Sequence, residues 1–201
     1  MNRTLIAMAF AIFLAQGAPL FAQDPVKNLD EARTAYRSGD LEAARFALQQ
    51  AIREVDLATA REVLKLLPET MATMPFVPEK EEVGSGAMGF AGVYVHRSYL
   101  GESPASASLQ VVAGSPLLAG INAILALPVV GRDPDNQRVR IGGYRGLLQR
   151  QQGNGGETSW TLQLPFGSSL LTFSLEGIDE QQAVLDMANT IPVEQIARLV
   201  Q

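Results

Sequence analysis

The sequence contains no cysteine, and only one histidine and one tryptophan, in 201 residues. Without cysteine there is no disulfide, no thiolate metal site and no lipid-anchoring cysteine near the N-terminus. One histidine and no thiol leave no ordinary transition-metal site, so no metal and no cofactor is expected. Excess positive charge is missing too: 16 basic residues stand against 21 acidic ones. A nucleic-acid partner, which needs a basic surface to displace counterions, is therefore not expected. No G-x-S-x-G occurs, so the nucleophile elbow of the serine hydrolases is absent.

What is present begins with an export signal. Arg3 precedes the apolar run Leu5–Leu14, which is shorter than the ~20 residues a membrane span requires. Small residues follow, and Ala22 before Gln23-Asp24-Pro25 is the expected cleavage point, with Ala15-Gln16-Gly17 as a second candidate. Residues 1–22 read as a signal peptide, the expected location is periplasmic or secreted, and no transmembrane anchor should remain after cleavage. The mature chain keeps 15 basic and 21 acidic residues. At about 180 residues it is long enough to bury a core without covalent staples.

Residues 23–67 carry a helical period. Asp40 and Asp56 each open an Asp-Leu-x-x-Ala-Arg sequence and can cap a helix N-terminus. Leu41, Ala44, Leu48, Ala51 and Val55 recur at spacings of three and four, and Gly39 can end a preceding helix whose stripe is Leu29, Ala32 and Tyr36. Three short antiparallel helices are expected, over 29–38, 41–54 and 57–67. Ala32, Tyr36, Gly39-Asp40, Ala44, Leu48 and Ala51 resemble the small, aromatic and turn positions of a single tetratricopeptide-type helical hairpin. The resemblance implies close packing of the first two helices; one copy cannot build that family's peptide groove, so peptide binding is not implied.

Three prolines, a Glu79-Lys80-Glu81-Glu82 run and two glycines, with Gly89 just beyond, interrupt helical periodicity over 68–88. This stretch reads as a protease-sensitive linker, either mobile or wrapped over the second domain. From 89 to 201 the pattern is β-β-α-β-β-β-α-α. Val93 and Val95 alternate with Tyr94 and His96, and Ala107, Leu109 and Val111 alternate with serines and Gln110. Ser115-Pro116 opens a helix apolar nearly all round, which should be buried. A meander follows, with Val139 and Ile141 on a strand that can continue through Leu147-Leu148, then a strand with Trp160, Leu162 and Leu164 and one with Leu171, Phe173 and Leu175. Asp179 with Gln182 reads as a capping box, and a last helix starts near Pro192. The expected fold is α+β: N-terminal helices, then a five-stranded antiparallel sheet with helices packed on one face.

Four pieces of the mature chain, in order, resemble small exported proteobacterial proteins of unassigned function. They are Leu66-Leu67-Pro68-Glu69, Arg97-Ser98-Tyr99, Ser115-Pro116-Leu117-Leu118 and Val139-Arg140-Ile141-Gly142-Gly143. The resemblance implies a shared fold and an envelope location, and transfers no activity.

Few residues are placed to carry chemistry. Gly84-Ser85-Gly86-Ala87-Met88-Gly89 has the letters of a dinucleotide fingerprint, but a charged stretch precedes it and a strand follows, so no helix terminus can meet a pyrophosphate. Arg132, Arg138, Arg140, Arg145 and Arg150 fall within nineteen residues, and Arg138 and Arg140 should leave a strand on the same side. They read as either a solvated, edge-blunting strand face or a patch for an anionic group. Candidate binding residues are Arg138, Arg140 and Arg145, together with Tyr94 and His96 on one face of the first strand; no catalytic residue is assigned. The expectation is an exported binding protein without enzymatic activity, with an envelope protein or an anionic or apolar small ligand as partner. The competing expectation is a hydrolase built on carboxylates and His96.

Overall fold

The computed structural model describes residues 25–85, 92–102, 104–127, 134–152 and 156–200. The expected signal peptide lies outside these residues, as does Arg132.

Two helices, not three, precede the sheet: α1 (Pro25–Ser38) and α2 (Leu41–Leu66). Gly39, at φ +82°, makes the turn, and Asp40 caps α2 by accepting a hydrogen bond from the Ala43 amide at 3.0 Å. The second aspartate does not cap. Nothing around Val55-Asp56-Leu57-Ala58 breaks a helix, so α2 runs unbroken past Asp56 for 26 residues. Its alanine stripe, Ala44, Ala47 and Ala51, is buried where Asn28 and Ala32 of α1 approach. The C-terminal half turns Ala60, Val63 and Leu67 into the main core.

The stretch 70–85 takes the wrapped role rather than that of a bare tether. Thr70–Met71 (β1) and Met74–Pro75 (β2) pair as a small hairpin, a 3-10 turn covers Pro78–Lys80, and Glu82–Ser85 (β3) joins the main sheet. The main sheet is antiparallel throughout and has seven strands, not five. The others are β4 (Val93–Leu100), β5 (Ser106–Ala113), β6 (Asn136–Ile141), β7 (Tyr144–Gln152), β8 (Thr158–Phe166) and β9 (Ser169–Glu176), in the order β3-β4-β5-β9-β8-β7-β6.

One of the two extra strands is β3. The other arises because the segment 139–148 is a hairpin. Gly142 and Gly143 both have positive φ (+52° and +82°), the backbone of a two-residue primed turn, and Ile141 pairs directly with Tyr144.

Side-chain alternation gives the sheet two faces. Val95, Leu109, Val111, Leu162, Leu164, Leu171, Phe173 and Leu175 point inward and are fully buried. The C-terminal half of α2, α4 (Gln181–Asn189) and α5 (Val193–Val200) close that face. The start of α4 differs from expectation: its cap residue Glu180 makes no side-chain cap bond, and Asp179 instead accepts a hydrogen bond from Thr158 Oγ1. The opposite face presents Ser98, Ser108, Gln110, Thr161, Gln163, Thr172 and Ser174, all half-buried.

Helix α3 (Leu118–Ala126) lies on this second face, chiefly against β7 and β8, so the helices do not share one side of the sheet. Nor is it buried: only Ile121 is, while Leu117, Ile124 and Leu127 are 59%, 39% and 49% exposed. An all-round apolar helix is expected inside. Here it lies over an outward face on which Leu147 and Leu170 are themselves buried, with no second layer above it among the described residues.

With β3 paired into the sheet, limited proteolysis of the folded protein should spare residues 70–85. Cutting at Glu79-Lys80 as fast as in the denatured chain would contradict that pairing.

Candidate functional site

Three groupings of polar residues merit comparison. The first is a lock. Arg97, 7% exposed on the inward face of β4, donates from Nε to Glu81 Oε1 at 2.5 Å and from Nη1 to the carbonyls of Leu67 (2.6 Å) and Pro68 (3.2 Å). Its guanidinium lies 4.6 Å from the centre of the Phe76 ring. Tyr99, two residues on, donates to the Pro68 carbonyl at 2.8 Å. Burial pushes the Tyr99 phenol up to about 12, against the smaller opposing pull of Arg97. Arg97 Nε and Nη1 and the Tyr99 hydroxyl are all spent on the chain's own groups, so this cluster fastens the end of α2 to the sheet.

The second grouping is around Tyr94 and His96 on the outward face of β4. The Tyr94 hydroxyl reaches Glu82 Oε2 at 3.5 Å, and His96 Nε2 lies 2.9 Å from Ser98 Oγ. Desolvation raises the Tyr94 phenol, the Gln110 hydrogen bond offsets part of this, and Glu82 adds to it. A histidine bonded to a serine two residues along one strand has the letters of a nucleophile pair. Among the described residues no carboxylate is hydrogen-bonded to the imidazole: Glu82, directly across from it on β3, is engaged by Tyr94.

The third grouping has a cavity. Between α3 and the outward face of β6–β8 lies a space of about 590 Å³, within the range that holds small molecules. Asn122, Leu125 and Ala126 of α3 form one wall; Arg138, Val139, Arg140, Arg145 and Pro165 form the other. The two-residue turn at Gly142-Gly143 sets the arginines. It makes Arg140 and Arg145 direct cross-strand partners, with Arg138 diagonal to Arg145 on the same face. Like charges directly opposite across two strands are destabilising. Yet among the described residues none of the three arginines belongs to an ion pair.

Their hydrogen bonds are to backbone. Arg138 Nη2 donates to the Leu127 carbonyl at the C-terminal end of α3, and Arg140 Nη1 to the Gly143 carbonyl at 3.4 Å. The first of these places a cation at the negative end of a helix and fixes α3 over the sheet. Arg150 lies on the other side of the sheet, with its guanidinium 5.6 Å from the Trp160 ring.

Of the five candidate binding residues, the fold therefore gathers Arg138, Arg140 and Arg145 and leaves Tyr94 and His96 elsewhere. All five share the outward face, but β5, β9 and β8 separate β4 from β7, about 19 Å at the usual strand spacing. The α3 wall was not singled out from sequence, where that helix read as core. Its signal was Asn122, a polar residue inside a run otherwise apolar or small.

Comparison with protein-family models, with curated proteins and with solved structures finds no match to this chain. Among the described residues, no helix is long and apolar enough to cross a membrane, and no cluster of three or more His, Asp or Glu side chains could hold a metal ion.

Proposed function

We propose that this protein is an exported, non-enzymatic binding module whose ligand is an anionic amphiphile held between α3 and the β6–β7 hairpin. The observation that carries this reading is the facing pair Arg140–Arg145, with Arg138 beside it, on the wall of a cavity and in no ion pair among the described residues. An anionic head group relieves the like-charge pair and takes charge-assisted hydrogen bonds from planar guanidinium forks. The opposite wall supplies Leu125 and Ala126, and the half-exposed Ile124 and Leu127 continue an apolar surface beyond it. Head and tail thus have separate, adjoining places. The leader-like residues 1–22 support an envelope location for such a protein, where acyl chains with phosphate or carboxylate heads are abundant.

Three ligands separate the terms: decyl phosphate, decanol and inorganic phosphate, each titrated calorimetrically into the full chain. Decyl phosphate should bind with an affinity that falls as salt is added; the other two should bind far more weakly. Arg140→Gln with Arg145→Gln should weaken decyl phosphate by roughly tenfold or more per arginine, the scale of a charge-assisted hydrogen bond. Both side chains are exposed, so the double variant should melt at or above the wild-type temperature once the like-charge pair is gone. Equal binding of decanol and decyl phosphate, or an undiminished affinity in the double variant, would remove the arginines from the account.

A further inference from the structure

The helical hairpin projects an apolar stripe that the rest of the described chain does not cover. On α2, Leu41, Leu48, Ile52 and Val55 are 65%, 47%, 59% and 54% exposed. At 100° per residue they fall within about 60° of one another, a quarter-turn from the alanine stripe that α1 covers. Their spacing of seven, four and three residues is that of a helix-pairing seam. Leu29 and Tyr36 of α1, 51% and 69% exposed, turn to the same side of the hairpin and widen the stripe. These six side chains leave on the order of 500 Å² of apolar surface in one place, more than a soluble monomer ordinarily shows without a use for it.

We propose that a second copy of this chain covers this stripe, the two α2 helices packing antiparallel about a two-fold axis that passes between Leu48 and Ile52. Two features select a second copy over an unrelated partner. The first is charge placement. Arg45 and Asp56 both flank the stripe on the same side, about 40° and 60° round from Leu41, and stand about 16 Å apart along the helix. Their midpoint falls between Leu48 and Ile52. A two-fold axis there sets Leu48 of one protomer against the partner's Ile52, and each Arg45 against the partner's Asp56. A self-complementary patch of this kind is what an isologous interface requires.

Among the described residues neither has an ion-pair partner within the chain. Burial pushes the Asp56 carboxyl upward with nothing nearby to oppose it. The second feature is size: two such stripes face to face bury about 1,000 Å² of apolar surface before rim residues are counted, the threshold for a specific interface.

Sedimentation velocity on the full chain, in the form the cell delivers, tests the interface. The wild type should sediment as a dimer at micromolar concentration. Leu48→Glu with Ile52→Glu should give a monomer of unchanged helicity, because both side chains already face solvent. Arg45→Asp and Asp56→Arg should each weaken the dimer tenfold or more, and the chain carrying both should recover it, since the exchanged charges again meet across the axis. Within one protomer the two residues are too far apart to touch, so recovery cannot come from an internal pair. A wild-type monomer, a dimer indifferent to Leu48→Glu with Ile52→Glu, or failure of the double exchange to recover association would each overturn the proposal. So would a monomer whose stripe is instead crosslinked to residues 1–22 of the same chain.

Discussion

Replacing Arg97 with methionine should destabilise the protein by about 3–5 kcal/mol, the cost of breaking a buried ion pair by removing one partner. The magnitude follows from what is left behind. Glu81 keeps a carboxylate whose side chain is only 20% exposed, and the Leu67 carbonyl loses its 2.6 Å donor. Methionine fills much of the volume over Phe76 and isolates the electrostatic loss from a cavity cost. Set against a typical total of 5–15 kcal/mol, the change is large, and the melting temperature should fall by about 10 °C for a chain of this size. Adding Glu81→Leu should return part of the loss, because the stranded charge then disappears. Urea unfolding followed by Trp160 fluorescence measures both. A loss under about 1 kcal/mol for Arg97→Met would place the pair with exposed salt bridges and contradict the lock.

The same lock should make the protein alkali-sensitive. Tyr99 is 1% exposed and its phenol is pushed up to about 12 by burial, whereas an unfolded tyrosine titrates near 10. The folded state therefore holds this proton more tightly than the unfolded state does. Its contribution is whole below about pH 10 and is lost as the pH rises toward about 12. Two pKa units correspond to about 2.7 kcal/mol. Tyr99→Phe should start about 1 kcal/mol lower near neutrality, having lost one hydrogen bond to a carbonyl that Arg97 still reaches. From about pH 10 upward its stability should then fall less steeply than that of the wild type. Urea midpoints across this range decide the matter, and identical alkaline slopes in the two proteins would contradict it. Tyr94 is raised as well, but remains present in both.

Period and punctuation account for what was legible in the sequence. The alternations in β4, β5 and β8, and in β9 from Leu171 on, are regular because one face is buried and the other mostly polar and half-buried, so those strands read directly. Strand β6 alternates only over its last four residues and then meets Gly142-Gly143, a turn signal visible in the sequence; reading the segment as continuous costs a strand and hides Arg145 opposite Arg140. Strand β3 has no apolar alternation, being an edge strand with glycine inside it, and only its pairing with β4 defines it. Asp56 resembles a cap by local letters, but a helix without a breaker continues through such a residue.

The candidate site was half legible. Arg138 and Arg140 share a face by arithmetic alone. That α3 stands over them, and is not core, depends on tertiary placement that no single-helix pattern encodes. Arg97 was present only as part of a resemblance. Its partners lie sixteen and about thirty residues away, in segments that read as a linker and as a helix end.

The most direct test of the central claim is a titration of the arginine side-chain N–H resonances, observed by NMR, with decyl phosphate. Selective, saturable shifts at Arg138, Arg140 and Arg145, with Arg97 and Arg150 unmoved, are the predicted result. Saturable binding that leaves those three resonances in place would contradict it and return them to the role of a solvated sheet edge.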